Sequence, residues 1–180
     1  MKGLFFVGVP LGGLAFLCWD VKQVFVRSTP PIEDRYSIEL TAEERSLIKT
    51  ASVVGMRNEV DMVASAFYRS PSFALERLLL TCLSQTWNSN AELFRSSWDL
   101  TDQVAGFFTV TSKGKDSVGL SFKFPGGKSG GMSHLAIKDN SLEFGTSLQN
   151  VNPNIVASFL HGIYSRVLIA GCKFKVSFRF

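Results

Sequence analysis

Residues 118–138, VGLSFKFPGGKSGGMSHLAIK, decide the fold class because they contain two alternating runs joined by a glycine-rich segment. The apolar members of the two runs are Val118, Leu120, Phe122 and Phe124 before the glycines, and Leu135 and Ile137 after them. Alternation with a period of two places every second side chain on one face of a β-strand. Glycines supply the backbone freedom that a tight turn requires. The segment therefore predicts an antiparallel hairpin with one buried face.

The centre of this segment, Gly-Gly-Lys-Ser at residues 126–129, also resembles the end of a phosphate-binding loop. That motif needs a further glycine five positions before the glycine of Gly-Lys-Ser, and Phe122 stands there. It also needs a helix after the loop, so that backbone N–H groups converge on phosphate. Residues 133–138 alternate like a strand instead. The hairpin is therefore the preferred interpretation, and nucleotide chemistry is not predicted.

Alternation and helical spacing recur along the rest of the chain. Further strand candidates lie at residues 107–112, 141–151 and 172–180. Helix candidates lie at residues 59–69, 72–87 and 91–104. A further helix is predicted to begin at a capping box formed by Thr41 and Glu44, and another to run from an Asn152 cap to Gly171. The sequence therefore predicts an α+β fold in which helices pack on a small antiparallel sheet.

The last segment, CKFKVSFRF at residues 172–180, shows the sharpest alternation. As a strand it would place four apolar side chains on one face: Phe174, Val176, Phe178 and Phe180. We interpret this face as a candidate interaction surface, with burial in the core of the domain as the alternative.

The N-terminal stretch, residues 3–19, contains no charged residue and approaches the roughly 20 apolar residues of a membrane-spanning helix. We predict a membrane anchor over residues 1–26, inserted in the lipid bilayer, with Gly8, Gly12 and Gly13 forming a smooth face for helix packing. A cleaved signal or transit peptide is the alternative, although the cleavage site and the arginine content it needs are missing.

Adjacent prolines and charged residues at 27–40 predict a linker, which leaves residues 41–180 as the soluble domain. The formal net charge is +4 without a run of Lys or Arg, so nucleic acid is not an expected partner.

The three cysteines, Cys18, Cys82 and Cys172, form no CxxC pair. Two interpretations remain open for Cys82 and Cys172, either a disulfide between them or two buried thiols. Neither His134 nor His161 has a carboxylate at metal-ligand spacing, so no metal, cofactor or catalytic residue is predicted.

The order of these features resembles a known family. A glycine-rich anchor and a linker precede a helix with Leu93, Ser96, Asp99 and Gly106, and a hairpin with Gly126, Lys128, Gly130 and Gly131 follows. This arrangement resembles the mitochondrial cytochrome oxidase assembly factor one family and the related membrane-anchored subunit of the inner-membrane presequence translocase. The resemblance covers the anchor and about residues 91–148.

The resemblance implies a single-span protein of the mitochondrial inner membrane whose domain faces the intermembrane space. It would be a non-catalytic accessory subunit or assembly factor of a respiratory-chain complex, and it would act by contact with other subunits. The alternative function is a membrane-tethered domain that binds a lipid or a small molecule, because a sheet covered by helices can enclose an apolar pocket. A hydrophobic cavity larger than a packing void would favour this alternative.

Overall fold

The computed structural model describes residues 20–27, 31–82, 89–104, 106–124, 129–150 and 155–178. Its strands are β1 Lys22–Arg27, β2 Ile32–Glu39, β3 Gln103–Val104, β4 Phe108–Lys113, β5 Ser117–Lys123, β6 Gly130–Lys138 and β7 Ser141–Gln149. Its helices are α1 Ala42–Gly55, α2 Glu59–Tyr68, α3 Pro71–Cys82, α4 Asn90–Arg95 and α5 Ile155–Ser177. The predicted α+β class is confirmed.

The described strands form one antiparallel sheet of seven strands in the order β1-β2-β7-β6-β5-β4-β3. Strands β5 and β6 pair from Ser117↔Ala136 to Lys123↔Gly130, which confirms the hairpin. The predicted turn at residues 125–128 lies outside the described residues, but strand β6 follows this segment, where a phosphate-binding loop would require a helix. Strand β2 pairs with β7 and so joins the N-terminal hairpin to the rest of the sheet.

One face of the sheet carries the core. The cross-strand neighbours Tyr36, Phe144, Leu135 and Val118 form one buried row on this face. Helix α5 packs over β2 and β7, and α2 packs over β5 and β6. Helix α2 packs against both the sheet and α5 and is buried at every position of 60–68. A helix that is enclosed in this way must be apolar almost all round, as its sequence is.

The predicted linker at residues 27–40 is wrong, because β2 occupies residues 32–39. The chain there alternates with a period of two, and the side chains that it buries are Ile32, Asp34, Tyr36 and Ile38. Pro31 directly precedes the strand and so removes no hydrogen bond from its ladder. Residues 22–26, predicted as the end of the anchor, belong to β1.

The rest of the predicted anchor, including Gly8, Gly12 and Gly13, lies outside the described residues. Within the part of the chain that is described, no helix has the length and apolar character needed to cross a membrane. The predicted Thr41–Glu44 capping box is confirmed at the start of α1.

The predicted C-terminal strand is also wrong, because α5 continues through Gly171 to Ser177. The buried positions Ile169, Cys172 and Val176 follow the three-and-four spacing of a helix. Val176 and Phe178 of the predicted interaction face therefore do not share a face, since Val176 is buried and Phe178 is 69% exposed. Phe180 lies outside the described residues. The ring of Phe174 packs on that of Phe178, with centroids 4.6 Å apart.

The helix predicted over residues 91–104 is shorter, since α4 ends at Arg95. Beyond it Trp98 has a positive φ of 55° and is fully buried, and its indole N–H donates to Ser65 Oγ at 3.2 Å.

Cys172 is a free buried thiol that donates to the carbonyl of Val63, so the Cys82–Cys172 disulfide is not formed. Burial raises the pKa of the Cys172 thiol.

Candidate functional site

A cavity of about 340 Å³ lies between the core face of the sheet and helices α2, α3 and α5. Seven phenylalanines contribute to its wall: Phe67, Phe73, Phe107, Phe108, Phe122, Phe124 and Phe144. An engineered apolar cavity of roughly 150 Å³ is enough to bind benzene. The volume here is more than twice that and reaches the range of about 300–1,000 Å³ that ligand pockets occupy.

The hairpin of residues 117–138 supplies part of the sheet side of this cavity, beside β4 and β7. Phe122 on β5 stands beside Phe108 on β4, with ring centroids 5.5 Å apart, and stacks on Phe107 at 5.6 Å. Opposite Phe122 on β6 is Gly131, where a Cβ atom would stand 2.7 Å from Phe122 Cζ and 2.3 Å from the Ser147 carbonyl oxygen. Such distances are shorter than any real contact, so Gly131 allows the Phe122 ring to lie across β6.

A polar cluster adjoins one end of the cavity, where Thr146 and His161 line the wall and Asp34 lies behind them. The Thr146 hydroxyl donates its one hydrogen to Asp34 Oδ1 at 2.7 Å. The 2.5 Å contact between Thr146 Oγ1 and His161 Nε2 therefore requires the hydrogen to be on Nε2. His161 Nε2 also lies 3.3 Å from Asp34 Oδ2, which accepts from Ser165 Oγ at 3.3 Å.

This cluster satisfies a buried carboxylate and does not form a nucleophilic triad. In a triad the acid contacts one imidazole nitrogen and the nucleophile contacts the other. Here Asp34 and Thr146 both contact Nε2 of His161. Asp34 is 5% exposed, and two hydroxyl donors, with the His161 imidazole beside them, compensate for its lost hydration.

Glu76 on α3 is a second polar group on the cavity wall. The Tyr164 hydroxyl on α5 donates to Glu76 Oε2. Burial raises the pKa of Glu76 to about 7, because desolvation disfavours the charged carboxylate. Burial also raises the pKa of the Tyr68 phenol, which lines the same wall. Near neutral pH the cavity therefore carries a carboxyl group that is divided between its neutral and charged forms.

The opposite face of the sheet carries a shallow groove of about 610 Å³ around His134. Gly119 and Gly145 flank His134 on the neighbouring strands, and Arg35 follows in the same row. The buried Nδ1 atom of His134 has no hydrogen-bond partner among the described residues. Burial first and Arg35 second lower the pKa of His134, which keeps the imidazole neutral at pH 7. No group of three His, Cys, Asp or Glu side chains in the described ranges has the geometry of a metal site.

Both histidines lie in the predicted kinds of element, His134 in a strand and His161 in a helix. Sequence reasoning missed the carboxylate beside His161, because Asp34 was assigned to a linker. The signal that was present is the period-two alternation around Asp34. No protein-family model, curated protein or solved structure matches this chain.

Proposed function

We propose that this domain binds an apolar small molecule in the aromatic cavity. The supporting observation is a volume of about 340 Å³ bordered by seven phenylalanines. Protein interiors are packed as densely as organic crystals, and voids larger than a water molecule are few. Rings that face an empty volume lose packing contacts, which a ligand of matching shape would restore.

The ring geometry favours a ligand with a flat aromatic body. Phe122 lies 5.6 Å from Phe107 and 5.5 Å from Phe124, measured between ring centroids. These separations are typical of stacked and edge-to-face aromatic pairs, so an aromatic ligand would extend an existing network. The volume lies at the lower end of the usual range for ligand pockets, which favours a molecule of two or three rings or a short branched chain.

Fluorescence titration of the full chain with the neutral apolar probe N-phenyl-1-naphthylamine tests the proposal. Leu168 lines the cavity and is 3% exposed, so Leu168→Trp fills the volume with an indole ring. We expect this variant to weaken probe binding by about ten-fold or more. Val54→Trp adds the same ring at a position on α1 that is 78% exposed, and it should bind the probe like the wild type. Equal affinity of the wild type and a folded Leu168→Trp variant would refute the proposal.

As a second candidate, we propose a non-catalytic accessory subunit or assembly factor of a mitochondrial respiratory-chain complex. It would be anchored in the inner membrane, face the intermembrane space and act by contact with other subunits. The observation that favours contact of this kind is strand β1, which forms one edge of the sheet and has all six residues exposed. Val24, Phe25 and Val26 are 51%, 48% and 44% exposed. An apolar sheet edge is a template for the addition of a strand from a partner.

Co-purification of the full chain in mild detergent, followed by identification of the bound proteins, tests this second candidate. Phe25→Asp places a charge on the exposed edge strand and should release partners that dock there. Val53→Asp places the same charge on α1 at a position that is 77% exposed, and it should retain them. Identical partner sets for the two variants would argue against docking at β1.

A further inference from the structure

Glu76 stands out in the cavity wall because of its charge. It is the only Asp or Glu among the described residues that line the cavity, and no Lys or Arg is among them. His161 is the other wall residue that can carry charge, and its Nε2 atom is directed at Thr146 and Asp34. An ionised Glu76 therefore has no cationic partner in the described wall.

The charged and titratable groups around Glu76 do not change this balance. Tyr164 faces it from α5 through its hydroxyl, and Tyr68 faces it from α2, where burial raises the pKa of the phenol. Arg77, the next residue on α3, donates to Asn90 Oδ1 at 2.6 Å. Arg69 places its guanidinium over the Phe94 ring, 4.9 Å from the ring centroid. The cations closest to Glu76 in sequence are thus engaged with other groups.

The surrounding rings add a second attraction for positive charge. The face of an aromatic ring is electrostatically negative and attracts an ammonium or guanidinium group within about 6 Å. Phe73 and Phe67 line the cavity with Glu76, and their ring centroids are 5.8 Å apart. Aromatic faces hold organic ammonium ions in proteins, and a carboxylate adds a charge-assisted hydrogen bond to them.

We propose that the cavity selects an organic ammonium with an aromatic body, the positive nitrogen at Glu76 and the rings among the phenylalanines. This inference rests on the proposed small-molecule function and names the ligand class. A molecule of the same shape with a carboxylate would place two negative charges together in a desolvated site. A neutral analogue would leave an ionised Glu76 with the Tyr164 hydroxyl but without a positive charge beside it.

The titration of Glu76 agrees with this selection and makes it dependent on pH. Burial raises the pKa of Glu76 to about 7 in the empty cavity, whereas an ion pair requires the ionised form. At pH 5.5 the carboxyl is almost fully protonated, and binding must first remove that proton. We expect the affinity for an ammonium ligand to rise about 30-fold between about pH 5.5 and pH 8, while the affinity for a neutral analogue changes little.

Three ligands with one ring system separate the outcomes: 2-naphthylmethylamine, 2-naphthylmethanol and 2-naphthoate. In titrations of the full chain at neutral pH, we expect the amine to bind at least about ten-fold more tightly than the alcohol, and the carboxylate to bind most weakly. Glu76→Gln should abolish the preference for the amine and keep the affinity for the alcohol. Glu143→Gln removes a carboxylate from β7 on the opposite face of the sheet and should keep the preference.

The results distinguish this inference from the proposed function. If none of the three ligands binds, both the cavity function and the ammonium inference are wrong. If they bind with equal affinity, or the carboxylate binds best, the cavity binds small molecules and the inference is wrong. An amine preference that persists in Glu76→Gln would also overturn it, and Glu76→Asp, which keeps the charge, should retain a preference if the first variant fails to fold.

Discussion

Replacing Gly131 with alanine tests how the central hairpin accommodates the Phe122 ring beside the cavity. The new Cβ atom would lie 2.3 Å from the Ser147 carbonyl oxygen on β7 and 2.7 Å from Phe122 Cζ on β5. The first of these atoms belongs to the backbone of a central strand, so the overlap cannot be relieved by a side-chain rotation alone. Overpacking of this kind costs about 1–3 kcal/mol, which for a chain of 180 residues lowers the melting temperature by about 2–12 °C.

Thermal unfolding followed by circular dichroism measures this change, and Gly55→Ala is the matched control. A Cβ atom at Gly55 would meet Arg57 Cδ at 3.6 Å, an ordinary contact with a flexible side chain. Gly55 is also the last residue of α1, where alanine favours the helix. The control should therefore melt at the same temperature as the wild type or slightly higher. A Gly131→Ala protein as stable as the control would show that the ring packing across β6 is described incorrectly.

Three other predictions concern the polar cluster, the cavity carboxyl and the N-terminus. Asp34→Ala should cost about 2–4 kcal/mol in urea unfolding, because Thr146 and Ser165 lose their shared acceptor and His161 loses the carboxylate beside it. Glu33→Ala, on the other face of the same strand, should cost under about 1 kcal/mol. The pKa of Glu76 is raised to about 7 in the folded state, so above about pH 5 the native protein still holds a proton that the unfolded chain has released. The free energy of unfolding should therefore fall by about 1–3 kcal/mol from pH 5 to pH 8. Chemical unfolding at several pH values should show this fall in the wild type and not in Glu76→Gln, and an equal fall in both would exclude Glu76 as its source. Deleting residues 1–19 should release a folded domain from membranes. Deleting residues 1–26 also removes the buried Val21 and most of β1, and it should lower the melting temperature. If the protein that lacks residues 1–19 stays on the membrane through alkaline extraction, the predicted anchor is wrong.

The central hairpin and helix α2 could be predicted because their local patterns agree with their surroundings. Val118 and Leu120 alternate in sequence, and both are fully buried against helices. The spacing of Val60, Val63 and Phe67 indicated a helix, and all three positions are buried in one. Where local propensity and tertiary packing favour the same element, the sequence alone is sufficient.

The continuation of α5 over residues 172–177 could not be predicted, because distant contacts override the alternating sequence pattern of this segment. Lys173 Nζ donates to the Glu39 carbonyl oxygen at 2.7 Å, and Ser177 Oγ donates to Glu44 Oε1 at 2.5 Å. Cys172 and Val176 are fully buried in the core. These contacts require a helix at residues 172–177, and tertiary packing of this kind routinely overrides intrinsic preference.

The polar end of the cavity could not be predicted from the sequence for a different reason. Asp34 and Thr146 are 112 residues apart in the chain, and only the pairing of β2 with β7 brings them together. The adjacent prolines before β2 favoured a linker, although the alternation from Ile32 to Ile38 was already that of a strand. The aromatic cavity itself depends on strand register and helix placement, which no short segment of the sequence encodes.

The most direct measurement of the central claim is methyl chemical-shift mapping of the full chain during titration with 2-naphthylmethanol. Leu148 and Leu168 line the cavity, whereas Val53 and Val54 lie on the exposed side of α1. If the cavity is the binding site, the Leu148 and Leu168 methyl signals will shift in a saturable way while the Val53 and Val54 signals stay in place. Leucine signals that do not move at saturating ligand, or shifts confined to the exposed valines, would contradict a ligand-binding cavity.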